Sequence, residues 1–184
     1  MSQALIRESI ETLKVFFRHP LEEVARLPDW SWKRTFFTLA TIAALSGFLA
    51  GLFPPGVWKL LQGLILFPIL VTVMSSLLAS FLYYYFQIFE RRTVSFARLF
   101  TLVAFSLFPF FLFHIASSFF PPSDLFGLAM MAILLVVGLT ENFGLEKKRS
   151  LRLIIVVFGL LFALWLMERV SVRNLVSSGV TTTL

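Results

Sequence analysis

Hydroxyl and imidazole groups inside apolar segments are the side chains of this sequence that could do chemistry. Thr72, Ser76 and Ser80 recur at four-residue spacing, so a helix would place three hydroxyls on one face. Such a polar stripe could line a path for a polar solute, or each hydroxyl could donate to a carbonyl of its own helix. His114 is the one ionisable side chain well inside an apolar segment. It could relay a proton or bind a ligand, or share one hydrogen bond as a neutral histidine.

Catalytic and metal-binding signatures are not recognisable in the sequence. It contains no HExxH helix, no Gly-rich phosphate loop and no Ser/His/Asp order. Catalysis would need Glu141 to meet Asp124, His114 or Glu168, but an apolar segment separates Glu141 from them in either direction. No cluster offers the three or four ligands that zinc needs, and the chain has no cysteine. We therefore predict no catalytic residue, no metal site and no cofactor.

The elements that must position these side chains are five charge-free apolar segments. Only 14% of the residues are charged and 58% are apolar, whereas a typical soluble domain carries about 25% charged residues. A helix needs about 20 apolar residues to cross a bilayer. The predicted fold is therefore all-α, a polytopic membrane protein with a five-helix transmembrane bundle. The segments are 35–58, 60–89, 99–123, 125–140 and 153–167.

Basic residues lie mostly on one side of the predicted spans. When the connections are assigned to alternate sides, 13 of the 16 Lys and Arg fall on the side of the N-terminus and 3 on the other. Because cytoplasmic loops carry the excess of Lys and Arg, we expect the N-terminus in the cytoplasm and the C-terminus outside. This arrangement accounts for the net charge of +6 without nucleic acid as a partner.

Residues 4–18 are predicted to form an amphipathic helix on the cytoplasmic side. Ile6, Ile10, Leu13 and Phe17 fall in one stripe at helical periodicity. The helix could lie in the headgroup plane or pack against the cytoplasmic ends of the bundle, and the two placements are compatible. The predicted organisation is a cytoplasmic segment at 1–34, a transmembrane domain at 35–167 and an external polar tail at 168–184.

Small residues predict where helices pack closely. Ala43, Gly47 and Gly51 share a face of the first span, and Gly159 and Ala163 form a weaker pair on the fifth. In lipid, small residues let helix backbones approach each other. The neighbour could be another span of this chain or a second copy.

Prolines and tryptophans predict further features of the spans. Pro68 and Pro109 lie inside the second and third spans and should kink them, since proline removes a donor and clashes with the preceding turn. The four tryptophans, Trp30 among them, lie near predicted span ends, where interfacial aromatic belts occur. We therefore expect the tryptophans to anchor the bundle at the interfaces.

Basic residues of the cytoplasmic connections are candidate contacts for anionic lipid headgroups. Each would contribute about 1 kcal/mol near a negative membrane surface. The same residues also set topology in any membrane protein, so lipid binding would be an additional role. They are Arg91, Arg92, Lys147, Lys148, Arg149 and Arg152.

Several motifs resemble the YIP family, the Rab-interacting membrane proteins of the secretory pathway, and in particular its bacterial members. The motifs are VFFRHPLEEVARL, WSWKR at the first span, SFARLFTLVAFSLFP at the third, and GLTENFGLEKKRSLRLIIVV between the fourth and fifth. Eukaryotic members carry a D-L-Y-G-P element before the first span. The nearest string here is Asp124-Leu125-Phe126-Gly127, which lacks the proline and falls in a predicted external loop, so no GTPase-binding residue is carried over.

The resemblance implies a small non-enzymatic bundle in the bacterial inner membrane. It would act as a scaffold or accessory subunit through contacts with membrane lipids, including anionic ones, and with a second copy or another membrane protein. The alternative is a small channel, transporter or lipid-translocating subunit that uses the polar stripe and the proline kinks.

Overall fold

Every described element of the chain is a helix. The computed structural model describes residues 3–53, 56–120 and 122–177, without the side chains of 3–6, 9, 161 and 164–177. A π-helical turn, Gln62–Leu66, joins two of the helices into one continuous helix, Val57–Ile88. In chain order the helices are α1 (Gln3–Arg18), α2 (Pro20–Ala25), α3 (Trp32–Gly51), α4 (Val57–Leu61), α5 (Phe67–Ile88), α6 (Phe96–Ser117), α7 (Ser123–Phe143) and α8 (Lys147–Ser177).

Four helices of the described chain are long and apolar enough to cross a membrane. They are α3, the continuous α4–α5 helix, α6 and α7, with 20 to 32 residues each. They correspond to the first four predicted spans. The fourth has 21 residues, because the helix continues past its charge-free segment at both ends. The predicted fifth span, 153–167, lies within α8 and extends past the described side chains, so it stays a prediction.

Helix α6 forms the centre of the bundle. Every residue of its stretch 99–109 is buried. The hydroxyls of Thr35 and Thr101 lie 3.1 Å apart, and the Ser46 hydroxyl donates to the Phe111 carbonyl at 2.9 Å. The second contact lies further towards the C-terminus than the first in both helices, so α3 and α6 run parallel. Two helices separated by one crossing of the bundle, here α4–α5, must run in the same direction.

Helix α7 runs antiparallel to α6 and approaches it at two glycines. A Cβ on Gly138 would lie 2.0 Å from a methyl carbon of Leu102, and one on Gly127 would lie 2.9 Å from the Cα of Phe110. Gly144 ends α7 in the left-handed conformation, at φ 63°, which glycine adopts without steric cost. The chain then turns directly into α8.

We call one end of the bundle the basic end. It is the end at which α3, α6 and α8 begin and α5 and α7 end, together with α1 and α2. It carries the connections 89–95 and 144–146. The opposite end carries the connections that follow α3 and α6.

Candidate functional site

The basic end presents an exposed charged surface made by two adjacent connections. The Arg149 guanidinium contacts the Glu90 carboxylate at 3.0 Å, which joins the start of α8 to the connection after α5. A guanidinium nitrogen of Arg92 lies 3.8 Å from where a Cβ of Gly144 would be. The two connections are therefore neighbours in space. We call the exposed residues Arg91, Arg92, Lys147, Lys148 and Arg152 the basic surface.

Arg149 differs from the other predicted headgroup contacts because it is paired within the chain. The hydrogen bond and charge of Glu90, and then the charge of Glu146, raise the pKa of the Arg149 guanidinium above its ordinary value. The Glu90 side chain is only 12% exposed. Arg149 therefore holds the two connections together, and the five residues of the basic surface remain exposed beside it.

Arg91 holds an unusual backbone conformation at the end of α5. Its φ of 52° lies in the left-handed region, which costs a non-glycine residue about 1–2 kcal/mol. The following N–H, that of Arg92, donates to the Phe86 carbonyl at 3.1 Å. This turn ends α5 and leaves both arginine side chains exposed.

Helices α1 and α2 pack onto α6 and α7 and complete the basic end. The Phe16 ring is fully buried, 5.5 Å from the rings of both Phe105 and Phe108 in edge-to-face geometry. Trp30 is also buried, with its ring 5.1 Å from that of Phe105. The expectation that Trp30 is an interfacial anchor is therefore wrong, because the chain before α3 turns this ring into the core. Phe17, in the predicted apolar stripe, stays 44% exposed.

Asn142, near the end of α7, anchors α2 through its amide. Its Nδ2 donates to the Val24 carbonyl at 2.7 Å, and its Oδ1 accepts from the Leu27 N–H at 3.3 Å. Val24 and Leu27 are both buried. One side chain therefore bonds both to the last turn of α2 and to the segment that follows it.

Asn142→Ala is expected to loosen this attachment. It leaves one buried N–H and one buried carbonyl without these partners, at a cost of about 1–3 kcal/mol. Hydrogen exchange at residues 20–27 should accelerate by one order of magnitude or more, since about 1.4 kcal/mol is tenfold. Glu141→Ala, at the exposed neighbouring position, is the matched control and should leave this exchange unchanged. Equal exchange in both variants would contradict the anchoring role.

The three hydroxyls of the predicted polar stripe bond within their own helix. Those of Thr72, Ser76 and Ser80 donate to the carbonyls of Pro68, Thr72 and Ser76 at 2.7, 2.8 and 2.8 Å. All three side chains line a groove between α3 and α5. The sequence spacing predicts that the three residues share one face. In the structure, each hydroxyl hydrogen is already used in a bond to its own helix.

His114 does not line this groove and lies near the opposite end of the bundle. Its Nδ1 is 3.3 Å from the Asp124 carboxylate, which links the last turns of α6 to the first turn of α7. Its ring stacks on that of Phe67 at 4.3 Å. Asp124 therefore lies inside α7 rather than in an external loop, and the structure separates His114 from the hydroxyl stripe.

The small face of α3 contacts the α4–α5 helix of the same chain. A Cβ on Gly47 would lie 2.1 Å from the Gly63 carbonyl oxygen, and one on Gly63 would lie 2.1 Å from the Gly47 oxygen. Gly51 faces the Lys59 backbone in the same way at 3.0 Å, and Ala43 is buried. Each glycine Cα–H therefore points at the other helix's carbonyl, an arrangement that gives weak Cα–H···O bonds.

Gly63 is a packing residue that the sequence reasoning missed. It is an isolated glycine among large apolar residues, so no small-residue repeat identifies it. The predicted pair on α8 is placed differently: a Cβ on Gly159 would meet nothing within 4 Å, and Ala163 is exposed. Packing of Gly159 and Ala163 against another helix stays a prediction.

The two prolines differ in their surroundings. Pro68 lies in the first turn of α5, directly after the π-helical turn Gln62–Leu66, so the backbone pattern of this span changes there. Pro109 is buried inside α6, which continues through it as a helix from Phe96 to Ser117. The predicted kinks at Pro68 and Pro109 stay predictions.

Comparison with known proteins gives one family. The family model of the Yip1 domain matches residues 13–167, which contain α2 to α7 and extend into α1 and α8. No curated protein and no solved structure matches the chain. The match confirms the resemblance drawn from the sequence motifs and, with the four apolar helices, indicates a multi-pass membrane protein.

Proposed function

Because this chain belongs to the Yip1 domain family, we propose that it is a non-enzymatic membrane scaffold or accessory subunit. It acts through contacts with lipids and with other membrane proteins, a second copy included. We place it in the bacterial inner membrane. Its basic end faces the cytoplasm, because cytoplasmic connections carry the excess of Lys and Arg.

The observation that carries the proposal is where the polar groups of the described bundle lie. Inside the bundle, the hydroxyls and amide considered above bond to backbone or to each other. At the basic end, the basic surface is exposed. Among these groups, those able to bind a partner are therefore on the surface, which favours contact over chemistry within the bundle.

The carboxylates also favour a non-enzymatic role. Asp124 and Glu141 are 17 residues apart on the same helix, which separates them by about 25 Å. His114 lies 3.3 Å from Asp124, at the end of α7 opposite to Glu141. Glu141 is therefore too far from the His114–Asp124 pair to join it in one site, because general acid–base catalysis needs groups within hydrogen-bond reach of one reacting centre.

Neutralising four of the five residues of the basic surface is expected to reduce the preference of the protein for anionic lipid. The variant combines Arg91→Gln, Arg92→Gln, Lys147→Gln and Lys148→Gln and leaves the Arg149 pair intact. Each lost charge removes about 1 kcal/mol of attraction at low salt. Electron paramagnetic resonance with spin-labelled phosphatidylglycerol and phosphatidylcholine measures the ratio of their association constants, which should fall towards one.

Lys59→Gln is the matched control, because Lys59 is exposed at the opposite end of the bundle. It should keep most of the preference for phosphatidylglycerol. An unchanged ratio in the fourfold variant, or an equal fall in Lys59→Gln, would contradict a role for the basic surface in lipid contact.

The orientation is testable because the chain has no cysteine. Val57→Cys and Ser95→Cys place exposed thiols at opposite ends of the α4–α5 helix and its following connection. In intact cells, a membrane-impermeant maleimide should label Val57→Cys and should label Ser95→Cys only after permeabilisation. The reverse pattern would invert the proposed topology.

A further inference from the structure

An apolar groove runs along the side of the bundle between α3 and α5. It has a volume of about 700 Å³ and is open along one side. Phe36 and Ala40 form its α3 wall, and its other wall extends from Leu64 to Ser80. At a rise of about 1.5 Å per residue, that wall is about 24 Å long. We call this feature the α3–α5 groove.

The α3–α5 groove begins beside the contact of Gly47 with Gly63. Leu64 and Ile65 belong both to its wall and to the π-helical turn, and such turns occur frequently at functional sites. From there, Ala40 and Ser76 keep the space between the helices unfilled, because neither side chain reaches across. The groove therefore follows from a close backbone contact at one end and small side chains further along.

The walls of the groove suit a hydrocarbon chain rather than a polar solute. Thr72, Ser76 and Ser80 are the hydroxyl residues of the lining, and each donates to its own helix. The other lining residues are apolar. Water or a polar solute would find few hydrogen-bond donors in the groove. An acyl chain forms no hydrogen bonds, so it loses none by entering.

One positive charge continues the α3 wall of the groove towards the basic end. Lys33, Phe36 and Ala40 follow one another at positions i, i+3 and i+7, so they share a face of α3. Lys33 is exposed, and its long side chain can reach the headgroup region. A lipid phosphate is the anion found at that depth. One leaflet is about 15 Å of hydrocarbon, half of a core of about 30 Å, which the groove accommodates.

We propose that the α3–α5 groove binds one acyl chain of an anionic phospholipid whose phosphate pairs with Lys33. The site lies beyond the proposed scaffold function, because it uses no residue of the basic surface. The lipid enters from the leaflet at the basic end, with its headgroup at Lys33 and its chain along Ser80, Ser76 and Thr72.

Native mass spectrometry of the full chain, released from nanodiscs of phosphatidylglycerol and phosphatidylcholine, tests the site. The wild-type chain should retain one phosphatidylglycerol. Lys33→Gln should weaken its retention about fivefold, the equivalent of one charge near the membrane surface. Ala40→Phe, which fills the groove, should abolish retention. Val73→Trp, which starts from a half-exposed lining residue, repeats the filling test if Ala40→Phe does not fold.

The controls change the same residue types elsewhere. Lys59→Gln and Ala129→Phe alter exposed positions outside the groove and should retain the lipid. The fourfold basic-surface variant should also retain it, so failure of the scaffold proposal and failure of this one are distinguishable.

Three results would overturn the site. One is retention of phosphatidylglycerol by both folded filling variants. Another is loss of a dimer in Ala40→Phe, which would assign the groove to a second copy. The third is reaction of Ser76→Cys with a membrane-impermeant maleimide, which would make the groove a water-filled path.

Discussion

Gly63→Ala is expected to destabilise the bundle by about 3 kcal/mol or more, at the upper end of the range for overpacked sites. The added methyl would lie 2.1 Å from the Gly47 carbonyl oxygen, far inside van der Waals contact. The atom it meets is backbone, so no side-chain rotation relieves the clash, and α3 must move away from the α4–α5 helix. Gly47→Ala should behave in the same way, since the contact is reciprocal.

Gly159→Ala provides the matched control for these variants. Gly159 is also a helical glycine, but a Cβ there meets nothing within 4 Å. Alanine should therefore stabilise α8 by about 0.5–1 kcal/mol through its helix propensity. Thermal unfolding in detergent, followed by tryptophan fluorescence, compares the variants. If Gly63→Ala unfolds at the temperature of Gly159→Ala, the close contact does not exist.

The glycine contact also limits how a second copy could bind. Gly47 and Gly51 both face the α4–α5 helix of the same chain. Their small face is thus occupied and is not available to another molecule. A homo-oligomer would need another surface, such as the exposed side of α8 around Gly159 and Ala163.

Membrane spans were predictable because a charged side chain is costly anywhere along a helix in hydrocarbon, so each span is a long segment without charges. Small residues at Ala43, Gly47 and Gly51 likewise predicted a close packing face on α3, since they repeat. Their partner was not predictable: Gly63 stands alone between Lys59 and Phe67 at helical spacing, so only the tertiary structure identifies it.

The candidate site was predictable only in its local parts. Four-residue spacing placed Thr72, Ser76 and Ser80 on one face, but the groove they line depends on Ala40 of another helix. Charge runs identified the basic surface, but not the pairing of Arg149 with Glu90, 59 residues away. Contacts between distant segments leave no periodic signal in a single sequence.

The N-terminal segment shows the same limit. Periodicity placed Ile10 and Phe17 at the centre of the apolar face of α1, yet both are exposed and Phe16 beside them is fully buried. The helix is oriented by one aromatic contact with α6, where Phe105 and Phe108 are about 90 residues distant in sequence. Exposed Ile10 and Phe17 remain available to contact lipid in the headgroup plane.

Phe16→Ala is expected to cost about 3–5 kcal/mol, because it removes a fully buried ring and leaves a cavity against α6. Phe17→Ala is the matched control. The Phe17 ring is 44% exposed, and its centroid lies 6.5 Å from that of Phe108. Its removal should therefore lower the free energy of unfolding by about 1 kcal/mol or less. Denaturation in mixed micelles measures both free energies of unfolding.

Limited proteolysis then separates loss of the N-terminal segment from loss of the whole bundle. Trypsin should cleave Phe16→Ala after Arg18 and Arg26 while α3 to α7 stay folded, because Thr35–Thr101 and Ser46–Phe111 contacts hold α3 on α6 without α1. Equal cleavage of Phe16→Ala and Phe17→Ala would contradict the anchoring role of Phe16. If the undocked variant keeps its preference for phosphatidylglycerol, lipid contact resides in the basic surface; if the preference falls, α1 and α2 contribute to that surface directly.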